Sequence, residues 1–461
     1  MSGVHRPIIT HGPHTRAYPQ RMVDEQRAVG KLQRAIRVPT VSDPDQFDET
    51  TFTDLQEQLG KDFPLLHEHL ELIRIGDHGL LFHWEGQASQ RPVVLMAHQD
   101  VVPVEGEWQH PAFAGEVVDG EIWGRGTLDD KGCLIAICEA VELLLEQGFA
   151  PNQDVWLSFG GDEEVAGVQA GLAVAELEKR GVRPWLVIDE GGAIAHQALA
   201  GIDAPLGVVG VSEKGIASID LTVEDRGGHA SMPAKWGPTA RLARAIVRIE
   251  KSPMPAHTPG PTIDMIERLA AHVNFALRPV LANASKLTPV INRALVAAGP
   301  ESAALTRTTV AVTTLKGSPA NNVIASKATA GLNVRIMTGE TIEGVVAHLR
   351  KAIRDKLVQI EVTVCDPPSP ISPYEDDDAF DLIANTIGEF FPDAICTPYI
   401  MMAATDSRHF TKICERVYRF APFRMSKAQR EAIHSFDERI GVEDFLVGIR
   451  WYQSFIERLP R

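Results

Sequence analysis

The sequence predicts an α/β protein: a mainly parallel sheet covered by helices, with an α+β domain inserted into it. Three observations carry this. In the first half, β-rich runs such as PVVLMAH, DVWLSFGG and PWLVIDEGG alternate with helical runs such as CLIAICEAVELLLEQG and AGLAVAELEKRG, and strands separated by amphipathic helices build a parallel sheet with both faces covered. From about Ser212 the pattern changes to strands that follow one another with few helices between them. After a Pro-rich run, DPPSPISPYEDDD, the chain resumes its α/β character and closes on the helical run VEDFLVGIRWYQSFIERL. The expected division is 1–212 and 368–461 for the two parts of the main domain and 213–367 for the insertion.

Within the insertion, KGIASIDLTVED reads as a strand and GPTARLARAIVRIEKS as a helix. A stretch rich in Pro and Ala, roughly 255–305, reads as irregular. The strands TRTTVAVTTLKG and ATAGLNVRI, the helix TIEGVVAHLRKAIRDK and the strand VQIEVTVCD follow. This order suits a separate antiparallel sheet with helices.

The chain has 461 residues, room for two or three domains with full cores. Its 45 Lys+Arg against 61 Asp+Glu leave a net charge of -16, which argues against nucleic-acid or anionic-membrane partners. No apolar run has the ~20 residues that span a bilayer, and the opening MSGVHRPIITHGPHTRAYPQ lacks a signal-peptide core. A cytoplasmic protein is expected. Cys133, Cys138, Cys365, Cys396 and Cys414 are odd in number and form no CxxC pair, so they read as reduced thiols.

Functional residues of such sheets gather at the carboxyl ends of the strands. There the sequence places His98 and Asp100 after VVLMA, Asp162-Glu163-Glu164 after VWLSFGG, and Asp189-Glu190 after WLVI. The stretch GRGTLDDKG adds Asp129 and Asp130 just before a helix. Taken alone those two could be capping charges, since a helix N-terminus favours a carboxylate by roughly 0.3–1 kcal/mol. Zinc-type ions, however, take imidazole nitrogen and carboxylate oxygen. His98, Asp129, Glu164 and Asp189, with His434 of IHSFDERI, suit two ions better than one. One of the adjacent aspartates would then bridge, and the other would orient it or cap the helix.

The motifs HQDVVPV, GRGTLDDKG, GGDEE, VIDEGG, GGHASMP, NNVIASKATAGLNVRI, TDSRHF and HSFDERI occur in this order. They resemble the dinuclear zinc peptidases that include carboxypeptidase S, aminoacylase, carnosinase-type dipeptidases and glutamate carboxypeptidase. VSEKG, TDSR and YRFAPF are most similar to carboxypeptidase S and the secreted N-acyl amino acid hydrolase/synthases. The resemblance implies two zinc ions, one on His98 and Asp189 and one on Glu164 and His434, with Asp129 bridging through a cis Asp129–Asp130 peptide. It implies Asp100 as the residue that orients His98, Glu163 as general base, and His229 as the oxyanion-stabilising histidine. Asn322, Arg335 and Arg408 match positions that hold the substrate's carboxylate, although AATDSR around Arg408 lacks the usual glycine.

The expected activity is hydrolysis of a peptide or N-acyl amide bond next to a free α-carboxylate, by a homodimer whose inserted domain serves as lid and dimerisation surface. A dipeptidase is the alternative within the class, and a catalytically silent metal-binding scaffold is the alternative outside it. Condensation, the reverse reaction, is disfavoured by mass action unless the acyl substrate is concentrated.

Overall fold

The computed structural model describes residues 23–165, 167–199 and 201–461. The opening segment expected to lack a signal-peptide core lies outside the described residues. Two sheets dominate. The large one has ten strands, and its centre runs Val155–Gly160, Val93–His98, Leu186–Asp189 and Val417–Arg419, all parallel. Every residue of the first three of these strands is buried. That is the signature of a sheet covered on both faces, because no side of the strand is left for water.

Antiparallel members flank this parallel centre, as a mainly parallel sheet allows. The hairpin of Glu71–Ile75 and Gly79–Trp84 pairs with Val155–Gly160 on one side. On the other, Leu206–Glu213 runs antiparallel to Ala193–Ala195 and parallel to Ile395–Met401.

One face of the sheet carries the helix Lys131–Glu146, sandwiched beneath the helices Glu25–Ile36 and Val442–Glu457. Its buried acids are paired, as burial of charge requires. Glu139 takes Lys31 at 2.5 Å and Arg27 at 3.0 Å, while Glu142 accepts the amides of Leu65 and Leu66 at the start of another helix. The opposite face is covered by the helix Val168–Lys179 and the turn Asp406–Lys412.

The small sheet has the order Thr309–Lys316, Lys327–Ile336, Gly215–Glu224, Gln359–Asp366, antiparallel throughout. Ala217, Ile219, Leu221 and Val223 are buried at alternate positions beneath the helices Pro238–Glu250 and Ile342–Ile353. This period of two marks a sheet packed on one face only.

The Pro- and Ala-rich stretch is not irregular. It forms the helices Gly260–Leu269 and Thr288–Ala298 and shorter turns. Pro261 and Pro289 sit in their first turns, where a missing N–H costs nothing, so these prolines begin helices instead of breaking them. Met265 and Leu269 pack on Ile202, Leu206 and Tyr399 of the large sheet's region.

Candidate metal centre

The strand Val93–His98 delivers His98 to the sheet's carboxyl rim. Its Nδ1 stands 3.0 Å from the Asp100 carbonyl oxygen and 3.3 Å from Asp100 Oδ1. Nε2 is left facing Asp129 Oδ1 at 2.9 Å. Asp100, fully buried, also accepts the backbone amides of Glu163 at 3.2 Å and Glu164 at 3.0 Å. One carboxylate thus orients the histidine and anchors the loop that carries both glutamates.

The Asp129–Asp130 peptide is cis. Asp129 directs its second oxygen, Oδ2, at His434 Nε2, again at 2.9 Å. Asp130 makes no side-chain capping bond to the helix that it precedes; its Oδ2 accepts the His98 amide at 3.3 Å. The second aspartate therefore braces the first histidine's backbone. His434 Nε2 also lies 3.1 Å from Glu164 Oε2, and the other oxygen of Glu164 is buried without a hydrogen-bond partner.

Two donor groups result, each with its ligand atoms within 4.8 Å of one another: His98, Asp129 and Glu190, and Asp129, Glu164 and His434. Asp189, the carboxylate expected in the first group, is in neither. Asp189 ends its strand buried and turns inward, where Oδ2 accepts the amide of Ser407 at 2.9 Å and Oδ1 that of Glu190 at 3.0 Å. With Asp189 turned toward the 406–412 turn, it is Glu190, the first residue past the strand, that offers its carboxylate to His98 and Asp129.

The electrostatics call for cations. Burial pushes the carboxyls of Glu163, Glu190 and Asp130 well above the ordinary carboxylate range, and neighbouring acids add to it. Hydrogen bonds to Asp129 and Glu164 drive His434 up to about 10. Against burial, His434 and His98 hold Asp129 below its usual range. Carboxylates crowded around two imidazoles, with one buried oxygen unpartnered, are a donor set that divalent cations complete. The residues present fit such ions.

The remaining candidates lie elsewhere. His229 is exposed on a two-stranded ribbon, opposite Val323, and its Nδ1 stands 2.7 Å from Ser231 Oγ. Asn322, also exposed, accepts the Ala230 amide through its carbonyl oxygen on the same ribbon. Arg335 is half-buried on the small sheet, opposite Ile216 and Thr309, with burial lowering its pKa. Arg408 belongs to the 406–412 turn and donates to the Thr405 carbonyl at 2.7 Å. Neither donor group contains a residue of the small sheet.

Two residues in or beside the donor groups were given no role from the sequence. Glu190 was placed at the rim with Asp189 but not as a ligand, and adjacent acids at a strand end carry no local mark of which one faces the histidine. Glu438, inside HSFDERI, is wholly buried behind Asp129; an acid in a motif that already supplies a histidine has no local mark of its role.

Residues 94–458 match the model of peptidase family M20/M25/M40. An N-fatty-acyl-amino acid synthase/hydrolase of Xenopus tropicalis is 35% identical over 94% of this chain and 86% of its own length. A probable carboxypeptidase S-like protein of Dictyostelium discoideum is 33% identical over 94% of this chain and 85% of its own. Among solved structures, an M20 family metallo-carboxypeptidase from Sulfolobus solfataricus superimposes with a TM-score of 0.69, covering 93% of this chain and 98% of the other at 18% identity. Human carnosine dipeptidase 1 gives 0.65 at 15% identity, over 94% and 95% of the two chains.

Proposed function

The chain belongs to peptidase family M20/M25/M40 and is a metal-dependent hydrolase of peptide or acyl-amide bonds, and from that premise we propose that it cleaves an N-acyl or peptide bond adjacent to a free α-carboxylate, using two zinc ions. The observation that carries the reading is the bridging posture of Asp129, whose two oxygens stand 2.9 Å from two different imidazoles. We assign His98 and Glu190 to one ion and Glu164 and His434 to the other. The choice of Glu190 over Asp189 rests on where each carboxylate points.

Bound ions of this type polarise a carbonyl and lower the pKa of a coordinated water. Glu163 takes the proton of the attacking water and returns it to the leaving amine, the work of a positioned general base and acid. Its backbone is fixed for this by Asp100. Asn322 and Arg335 hold the substrate's α-carboxylate, Arg335 through its planar fork of donors; Arg408 is a weaker candidate for the same task, its guanidinium already engaged with Thr405. His229 stabilises the charge that develops on the scissile carbonyl oxygen. Its exposed position on the ribbon favours action in the active site of a partner copy, within a two-fold homodimer. Residues 213–367 act in this reading as lid and dimerisation domain.

The relatives named for N-fatty-acyl amino acids favour an acyl group over a second amino acid on the other side of the bond. A hydrolysis screen of zinc-loaded protein against N-acyl amino acids and unblocked dipeptides tests this. Turnover of dipeptides alone would make it a dipeptidase, and turnover of neither, by protein holding two ions, would favour the scaffold reading.

A further inference from the structure

Behind the bridging aspartate lies a buried ion pair that the proposed chemistry does not use. Arg125, 2% exposed, donates through Nη1 to Glu438 Oε2 at 2.7 Å, and Glu438 is fully buried. The same carboxylate accepts three backbone amides of the GRGTLDD turn: Gly126 at 3.0 Å on Oε2, and Leu128 at 2.8 Å and Asp129 at 3.2 Å on Oε1. Arg125 closes the loop from the other side, donating through Nη2 to the carbonyl of Ser435 at 2.6 Å, one residue after His434. The Gly124 amide donates to the Glu438 carbonyl at 2.9 Å.

We infer that Arg125 and Glu438 form a positioning clasp that sets the metal affinity of the Glu164–His434 side of the centre. The clasp joins two turns more than 300 residues apart in sequence, one bearing Asp129 and the other His434. The two histidines differ in support. His98 is 2% exposed at the end of a central strand and is braced by Asp100 and Asp130. His434 is on a loop at φ +58°, its side chain 53% exposed. The distance from Asp129 Oδ2 to His434 Nε2 depends on how the two turns are held together, and the clasp holds both. Groups that orient ligands in this way commonly contribute about 10–100-fold to metal affinity. This inference rests on the dinuclear reading proposed above.

Glu438→Gln tests it. The amide offers one acceptor oxygen where the carboxylate offered two, and turns an NH2 toward Arg125 or toward the backbone amides, donor against donor. Zinc titration of the metal-stripped protein against a chromophoric chelator should show two ions bound in the wild type. In the variant one ion should bind as before and the other about 10–100-fold more weakly. At saturating zinc, kcat should return to near the wild-type value with KM unchanged, which a change in folding or substrate binding would not produce. Should Glu438→Gln fail to fold, Arg125→Lys, which keeps the charge but loses the fork that reaches both Glu438 and Ser435, should show the same selective loss at smaller size. Both ions held at wild-type affinity, both weakened alike, or a kcat that zinc does not restore would overturn the clasp. Fewer than two ions in the wild type would overturn the dinuclear reading itself.

Discussion

The rim of the large sheet and the small antiparallel sheet treat their polar residues in opposite ways. At the rim, His98, Asp100, Asp129, Asp130 and Glu164 hold one another through short contacts within a single chain. On the small sheet and its ribbon, His229 and Asn322 are exposed, and among the described residues Arg335 has no carboxylate partner. A centre that must bind metal before substrate arrives is built in advance, and preorganised dipoles cost no rearrangement during reaction. In the proposed reading, the residues that would meet the substrate or a second copy of the chain are the ones left open.

The largest effect expected on the built-in side is from Glu163→Gln. Turnover should fall by about 10²–10⁴-fold with two ions still bound, whereas Asp129→Ala should lose metal and activity together. Rates and metal content by mass spectrometry decide; metal lost from Glu163→Gln would mean that Glu163 is a ligand. In the same measurement Glu190→Gln should shed an ion more readily than Asp189→Asn. The reverse order would return Asp189 to the centre.

On the open side, amidating the substrate's α-carboxylate should cost ~2–5 kcal/mol in kcat/KM, the usual loss when one partner of a buried charged contact is removed. Equal rates for acid and amide would remove Arg335 and Asn322 from the binding site. His229→Ala should lower kcat by about 10²–10³-fold. Co-expressed with Glu163→Gln, it should recover activity in roughly a quarter of sites if the histidine works across a dimer. A confirmed mixed dimer without recovery would place His229 in its own chain's site or outside the reaction.

The last expected effect is on stability alone and lies at the junction of the two sheets. Lys214, between the strands Leu206–Glu213 and Gly215–Glu224, is 2% exposed and donates to the Arg307 carbonyl at 2.9 Å. Burial lowers its pKa to about 8 from an ordinary 10.5. Below pH 8 the lysine is protonated whether the chain is folded or not, and the buried charge is destabilising. Between about 8 and 10.5 the unfolded chain keeps a proton that the folded chain has released, so stability rises with pH, by at most about 3 kcal/mol. Urea unfolding across this range should show the rise in the wild type and its loss in Lys214→Met; identical curves would assign the rise to other groups.

Much of this was legible along the chain because the relevant forces are local or periodic. An apolar run as short as VVLMA, opening on two β-branched residues, suits a strand covered on both sides, and the next residue, His98, then falls at the sheet's carboxyl rim. The turn GRGTLDDKG and the tail motif HSFDERI offered candidate donors, but residue type left the two aspartates open to helix capping, and only the family resemblance assigned Asp129 and His434 to their ions. The Pro-rich stretch misled because proline has opposite meanings at a helix start and within it, and nothing short of the chain's path says which applies at Pro261 and Pro289.

Sequence by itself determined the α/β class, the inserted antiparallel sheet and the pool of imidazoles and carboxylates from which a metal centre is drawn. Tertiary structure decided which members of that pool meet. Asp189 and Glu190 are chemically near-equivalent neighbours, and only the turn packed against the strand end makes one a brace for Ser407 and leaves the other facing His98. Glu438 stands 309 positions from the amide of Asp129 that it holds. No local pattern encodes such a contact, because its energy exists only once Arg439–Gly441 has paired with Glu121–Trp123 and brought the two turns together.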